Sequence, residues 1–240
     1  MISARKIHSE VNRRLRESNK TSNKKVTVTQ VDSAINESIS FWLSEKTKGM
    51  EIDPFVRREL RQLEVVEVPL EFAKDSSGIY NVFLPKNYYK FTRVLVSADK
   101  ETCGYKSDIE ASPVKSSDLS RVLNDPYQAP SFEWEEFIFI EQGDHLRVYL
   151  GGEDVELKEL KLSYIKTIPE VRAPSLVKED SYISYSGRVI NLDVDLELDE
   201  SQRSWIDIVN LASLSLLRDM GQVNDYQLMV NQIMSTKQNN

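Results

Sequence analysis

The chain has a single cysteine, Cys103, among its 240 residues. That excludes an intrachain disulfide framework and a thiolate cluster for a structural metal within one chain, and it suits a reducing compartment. Only two histidines, His8 and His145, are present and they lie far apart, which removes most histidine-based catalysis and metal chemistry. No apolar run approaches the roughly 18–20 residues that span a bilayer, and no apolar stretch backs the basic N-terminus. The expectation is a chain with neither a membrane span nor a general secretory signal. Phosphate-cradling Gly-x-x-x-x-Gly-Lys and Gly-x-Gly-x-x-Gly runs are missing, as is a Gly-x-Ser-x-Gly elbow, so neither nucleotide chemistry nor serine-nucleophile chemistry has a motif behind it.

What is present is globular composition, 40% apolar and 29% charged, long enough for one large domain or two small ones. The net charge of −7 argues against a dedicated nucleic-acid wrapper. It is unevenly spread. Residues 1–25 hold eight basic and two acidic side chains, a net +6, and leave −13 for the rest.

Apolar periodicity orders the chain as helices, then strands, then helices. Ala4, Ile7, Val11 and Leu15 recur at helical steps over 2–18, a thin stripe that another helix or a neighbouring subunit would complete; 18–25 reads as a polar, basic loop. A second helix follows, with Thr29 as its cap, Asp32 answering three residues on, and a face of Val31, Ala34, Ile35, Ile39, Trp42 and Leu43 up to a stop at Gly49. Asp53 and Pro54 open a short third helix. From Val65 the period becomes two, with Pro69 marking an edge or a bulge. Ser76-Ser77-Gly78 makes a turn before a strand at 79–84, and 91–98 reads as another strand. Phe132 to Ile140, a Gln142-Gly143-Asp144 turn, Leu146 to Leu150, a Gly151-Gly152 turn and a long strand through Leu162, Tyr164 and Ile165 spell an antiparallel meander. Between 99 and 131 an irregular insertion is expected, with a short helix near 117–123. Residues 182–198 read as strand. Asp199 and Glu200 then open a helix with Trp205, Ile208, Val209, Ala212 and Leu216 on its face up to Gly221, and a last helix runs from Asn224. The fold class is therefore α+β. N- and C-terminal helices (1–64 with 199–240) pack together into a bundle that holds out a central antiparallel sandwich or barrel-like domain (65–198).

Candidate chemistry is thin. Asp193, Asp195 and Glu197 share one side of an extended strand and could converge on a cation, although no glycine-bearing calcium loop surrounds them and the plainer reading is a polar strand face. Glu133 and Glu135 could form a carboxylate pair for glycoside hydrolysis, but adjacent residues of one strand do not flank a sugar. His145 with Ser181, Ser184 or Ser186 lacks any motif for nucleophilic catalysis, and Cys103 reads as a quiet thiol. The basic residues Arg5, Lys6, Arg13, Arg14 and Arg16 could meet phosphates or an acidic partner, or form a solvated helix face.

The arrangement of whole segments carries more information. An N-terminal helix leads into VTQVDSAINESISFWL; FLPKNYYKFTRVLV, the loop LNDPYQAPSFEWEE, the strand LKLSYIKTIPEVR and the closing DYQLMVNQI follow. In this order the chain resembles the head-tail connector, or ring, proteins of tailed bacteriophages, particularly those of crAss-like phages, which are similar in layout to the tail-tube adaptor of short-tailed phages. The resemblance covers most of the chain and includes no catalytic signature. It implies a non-enzymatic virion protein without a cofactor, made in the host cytoplasm, that forms a twelvefold homo-oligomeric ring around the DNA channel below the portal. It also implies contacts with the portal protein and other tail or ring proteins, passage of genomic DNA, and no membrane. On this basis Tyr226, Gln227, Met229, Asn231 and Ile233 are the candidate portal-proximal or neighbour interface. The basic residues are a candidate DNA-touching arm, and Asp193, Asp195 and Glu197 are a candidate acidic channel lining. The competing reading is a carbohydrate- or partner-binding β module with helical flanks, using Trp134, Tyr149 and Tyr164 as a stacking platform.

Overall fold

The computed structural model describes residues 1–18, 26–50, 53–152, 154–177, 182–183, 189–199, 204–222, 226–227 and 229–231. The protein is α+β, with two larger sheets, one of them curled as a half-barrel. It divides into two compact units. Residues 1–62 and 168–240 make one, and residues 63–167 make the other. The segment 168–198, expected with the β domain, belongs to the helical unit: Leu196 exchanges backbone bonds with Ile2 near the chain's N-terminus, and within the segment Arg172 pairs with Val194.

The helical unit contains α1 (Ala4–Ser18), α2 (Val28–Gly49), α3 (Pro54–Leu60) and α5 (Ser204–Asp219). Ala4, Ile7, Val11 and Leu15 are all buried, and α1 contacts both α5 and α2. The thin stripe of α1 is thus covered inside the chain and needs no neighbouring subunit. The capping box of α2 lies two residues earlier than Thr29. Thr27 Oγ1 accepts from the Gln30 amide, and Gln30 Oε1 accepts from the Thr27 amide. Gly49 does not stop that helix in a left-handed conformation; Met50 continues with helical dihedrals and the Asp53 amide donates to the Gly49 carbonyl. Asp53 caps α3 through the Phe55 amide, with Pro54 at the first position. Helix α5 ends in a Schellman arrangement. The Gly221 amide bonds to the Arg218 carbonyl and the Gln222 amide to the Leu217 carbonyl, and Gly221 supplies the positive φ (74°) that this turn requires. Residues 200–203, with Glu200, and Asn224 lie outside the described residues.

In the β unit the first sheet orders β1 (Glu64–Pro69), β9 (Val155–Lys166), β4 (Tyr88–Lys100) and β5 (Gly104–Glu110), all antiparallel. Its spine is the pairing of β4 with β9, from Tyr88 opposite Lys166 to Lys100 opposite Val155. Pro69 sits on the edge strand β1, where a missing N–H costs nothing, and a bulge with Glu67 at φ 51° breaks the alternation there. The second sheet orders β2 (Phe72–Lys74), β3 (Tyr80–Phe83), β8 (His145–Tyr149), β7 (Ile138–Gln142) and β6 (Ser112–Pro113). One apolar core joins residues of both sheets, among them Val82, Val96, Phe139, Leu146, Leu160 and Leu162, with the Phe91 and Phe139 rings edge-to-face at 5.1 Å.

Three expectations need correction. The 99–131 stretch is not a single irregular insertion: β5 pairs with β4 as a hairpin, followed by β6 and by α4 (Leu119–Asn124). The run Phe132–Ile140 is not one strand. Residues 131–136 form a tight turn closed by Ser131 and Glu136, because Phe132 and Phe137 both drop into the core and the chain must reverse between them; β7 begins only at Ile138. The long strand expected at 182–198 resolves into the short pair β10 (Tyr182–Ile183) with β11 (Val189–Ile190), then an extended segment whose Leu196 and Leu198 are buried while Leu192 is exposed.

Candidate functional site

Burial of one side of α1 fixes what the other side presents. Arg5, Ser9, Asn12, Arg13, Arg16 and Glu17, with an edge of His8 and the exposed Leu176, are the described residues lining an open groove of about 710 Å³. This is the place of the expected basic arm, which is an ordered helix face over its described length. Arg5 Nε donates to Ser175 Oγ at 3.0 Å and lies 3.5 Å from Asp193 Oδ2. Lys6 stands 5.5 Å over the Trp205 ring. Arg13 reaches Glu10 through Nε (3.0 Å) and Nη2 (2.5 Å) and Glu17 through Nη1 (2.5 Å). The hydrogen bonds to Glu10 and Glu17 raise the already high pKa of Arg13, and the same contact with Arg13 holds the Glu10 carboxyl below its usual range against the opposing effect of burial. Arg14 Nη1 donates to Asn210 Oδ1. Arg16 is exposed and has no ion-pair or hydrogen-bond partner among the described residues.

Beneath the groove lies a buried polar pair that the sequence reading did not single out. His8 Nε2 is 2.6 Å from Asp32 Oδ1, and Asp32 Oδ2 accepts from the Ala173 amide at 3.4 Å. It ties α1, α2 and the 168–177 segment together. The available signal was positional: Asp32 falls among Val31, Ile35 and Ile39 on the apolar face of α2, and His8 beside Ile7 and Val11 on that of α1. A polar residue inside an apolar stripe needs a buried partner.

The acidic run serves α1 as well. Asp195 Oδ1 accepts from the Ala4 amide at 2.9 Å at the start of the helix, where a carboxylate complements the dipole. Asp193 accepts from the Ser175 amide (3.0 Å) and hydroxyl (2.5 Å). Burial opposes ionisation of Asp193, yet the hydrogen bonds from Ser175 and the charge of Arg5 hold its carboxyl below the usual range. Glu197 is half-buried and also has a partner. Among the described residues no group of three such side chains converges as a metal site.

At the C-terminal end, Tyr226 is half-buried, Met229 is buried, and Gln227 and Asn231 are exposed. Ile233 lies outside the described residues, as do Ser181, Ser184 and Ser186. His145 Nδ1 meets its neighbour Asp144 at 3.0 Å, and this bond lowers the pKa of Asp144. Cys103 is exposed.

The β unit presents a second ordered feature, the turn at 131–136. Ser131 and Glu136 exchange both backbone bonds (2.8 and 3.0 Å), and the Glu135 amide reaches the Phe132 carbonyl at 3.3 Å. The Trp134 amide donates to Ser131 Oγ at 3.3 Å. Lys106 Nζ donates to the carbonyls of Phe132 (3.0 Å) and Glu133 (3.1 Å) and pairs with Glu135 at 3.1 Å. Lys100 Nζ binds Glu133 at 2.7 Å, which depresses the Glu133 pKa and raises its own, and lies 3.3 Å from Asp154. The two glutamates therefore each have a lysine and do not form an acid pair. Trp134 projects from this clamp with 79% of its surface exposed, whereas Tyr149 (9%) and Tyr164 (4%) are core residues, so the three aromatics make no stacking platform.

Compared with known proteins, the sequence matches no family model and no curated protein.

Proposed function

We propose that this chain is a structural, non-enzymatic ring protein of a tailed-phage head-tail connector, assembling around the DNA channel below the portal. The observation that carries the proposal is the presentation of large aromatic side chains to solvent from ordered backbone in both units: Phe55 at 78% exposure in the helical unit, Tyr127 at 92% and Trp134 in the β unit. Exposed aromatics on ordered elements are the composition of contact surfaces awaiting partners. The order of sequence segments that resembles phage connectors supports the same reading, as does the α+β architecture.

In this reading α1, α2 and α5 form the bundle, the two larger sheets form the sandwich- or barrel-like domain, and Gln227 and Asn231 are the exposed positions of the portal-proximal helix. The −13 carried outside residues 1–25 suits a channel that repels phosphate and lets DNA pass. The acidic run contributes its negative charge to that wall, while Asp193 and Asp195 also hold α1. The test is the mass of the purified protein by light scattering, alone and mixed with a candidate portal, with electron microscopy of any large species. Closed rings, or assembly that depends on the portal, are the expected result. A monomer indifferent to the portal overturns the proposal.

A further inference from the structure

We propose that in the assembled ring the segment that begins at Ile168, together with α5, covers α1 and α2 of the next copy in place of those of its own chain. The inference rests on the ring reading and specifies the contact that links its subunits. The donated segment and the accepting helices are different surfaces, so the contact is heterologous, the type that generates rings when the rotation closes.

The occupant of the accepting surface is set by what that surface already holds. Within one chain, Ile2 and Leu196 exchange backbone bonds of 3.0 and 2.9 Å. Asn36 reads both backbone groups of Val171, accepting from its amide at 2.8 Å and donating to its carbonyl at 3.1 Å. One helical turn earlier, Asp32 accepts from the Ala173 amide. Asp195 accepts from the Ala4 amide, Arg14 donates to Asn210, and α5 packs on both α1 and α2. Every one of these contacts joins residues 1–62 to residues 168–240. The same segment of a second copy makes all of them without loss, so the choice of chain is decided by the tether and by proximity, not by contact energy.

The tether is short and stiff. Thr167 is anchored to the β unit, its amide and hydroxyl both donating to the Asn87 carbonyl, at 2.7 and 3.2 Å, while Val171 is anchored to α2 by Asn36. Only Ile168, Pro169 and Glu170 lie between the two anchors. Pro169 locks its own φ and biases Ile168 toward extended backbone, so the connection resists bending. Short hinge segments of this kind are where exchange between copies arises. The helices α1 and α2 are also separated from their cover by the whole of residues 63–167, which hold an apolar core of their own. In a ring the neighbour's segment stands at high local concentration throughout that interval.

The test uses the full chain with Cys103→Ser and the pair Ile2→Cys/Leu196→Cys. Residues that exchange both backbone bonds have Cα atoms about 5.5 Å apart, within disulfide range. Rings are assembled, with the portal where they need it, then oxidised and run on a denaturing gel without reductant. The expected result is a ladder of covalent multimers that collapses to monomer on reduction. Arg14→Cys/Asn210→Cys, joined by a short bifunctional maleimide, gives the same ladder while leaving the buried Ile2 and Leu196 intact. Lengthening the connection by a flexible Gly-Ser insert after Pro169 shifts the ladder toward crosslinked monomer by about tenfold. Intact rings in which both pairs crosslink only within single chains overturn the exchange and leave the ring reading standing. Covalent dimers with no higher rung keep the exchange and overturn the ring. Crosslinked monomers and no oligomer, with or without the portal, overturn both.

Discussion

Replacing Asp32 with alanine strands two buried donors in one step. His8 and Ala173 are both almost wholly inaccessible to water, and each directs a ring or backbone N–H at the Asp32 carboxylate. A buried donor without a partner costs about 1–3 kcal/mol, and breaking a buried hydrogen-bonded pair from one side costs about 3–5 kcal/mol. The Ala173 bond is long and contributes the smaller part, so the expected loss for Asp32→Ala is about 3–4 kcal/mol, a large share of the 5–15 kcal/mol typical of a domain. Asp32→Asn keeps one acceptor oxygen and loses about half as much. Joint replacement of His8 and Asp32 by leucine removes donor with acceptor, so the double variant retains more stability than the sum of the single losses allows. Urea denaturation followed by tryptophan emission reads this in the right unit, since Trp42 on α2 is buried and Trp205 lies on α5. A loss below about 0.5 kcal/mol for Asp32→Ala, or strict additivity in the cycle, refutes the assignment of this pair as the tie between α1, α2 and residues 168–177.

Gly151→Ala places a Cβ 2.3 Å from the Pro130 carbonyl oxygen at a φ of +87°, and melting experiments should show a loss of more than about 3 kcal/mol, whereas Gly104→Ala meets open space at a similar φ and costs about 1 kcal/mol. Phe139→Ala empties the centre of the β core and removes the Phe91 ring contact, a loss of about 3–5 kcal/mol by denaturant titration. Asp53→Ala removes the cap of α3 and costs about 1 kcal/mol in the same assay. Because the folded Asp193 pKa is depressed, its contribution is present above the unfolded carboxylate pKa and disappears as pH falls through the folded one; Ser175→Ala should move the Asp193 titration upward by NMR, and an unchanged titration contradicts the assigned cause.

Periodic burial explains most of what was legible beforehand. The stripes of α1, α2 and α5 recur at helical spacing with the core residues expected, and the turns at Ser76–Gly78 and around Gly143 are marked by residues that tolerate positive φ. The strand β5 was missed because Gly104–Glu110 is an edge strand with little burial, so its residues carry no alternation to read. The Phe132–Ile140 run misled for the opposite reason: two buried phenylalanines five residues apart imitate a strand, while Glu135 sits at φ 61° inside a turn. Thr27 lost to Thr29 because either threonine could cap, and only the reciprocal Gln30 bonds decide. Of the candidate site, the arginines were visible as charge but their tethering by Glu10, Glu17 and Asp193 was not, because Asp193 is distant in sequence and reaches α1 only through the fold.

The division of the chain also sets the order in which it can fold during synthesis. All of β1 to β9 has left the ribosome before α5 exists, so the β unit can close on itself first, its opening strand paired with its last, Glu64 opposite Ile165. The apolar faces of α1 and α2 must wait roughly 150 residues for their cover, an interval in which they are open to chaperones and to premature association. A nascent chain that stalls before Ser204 therefore holds every strand of the β unit but lacks the helix that covers α1 and α2.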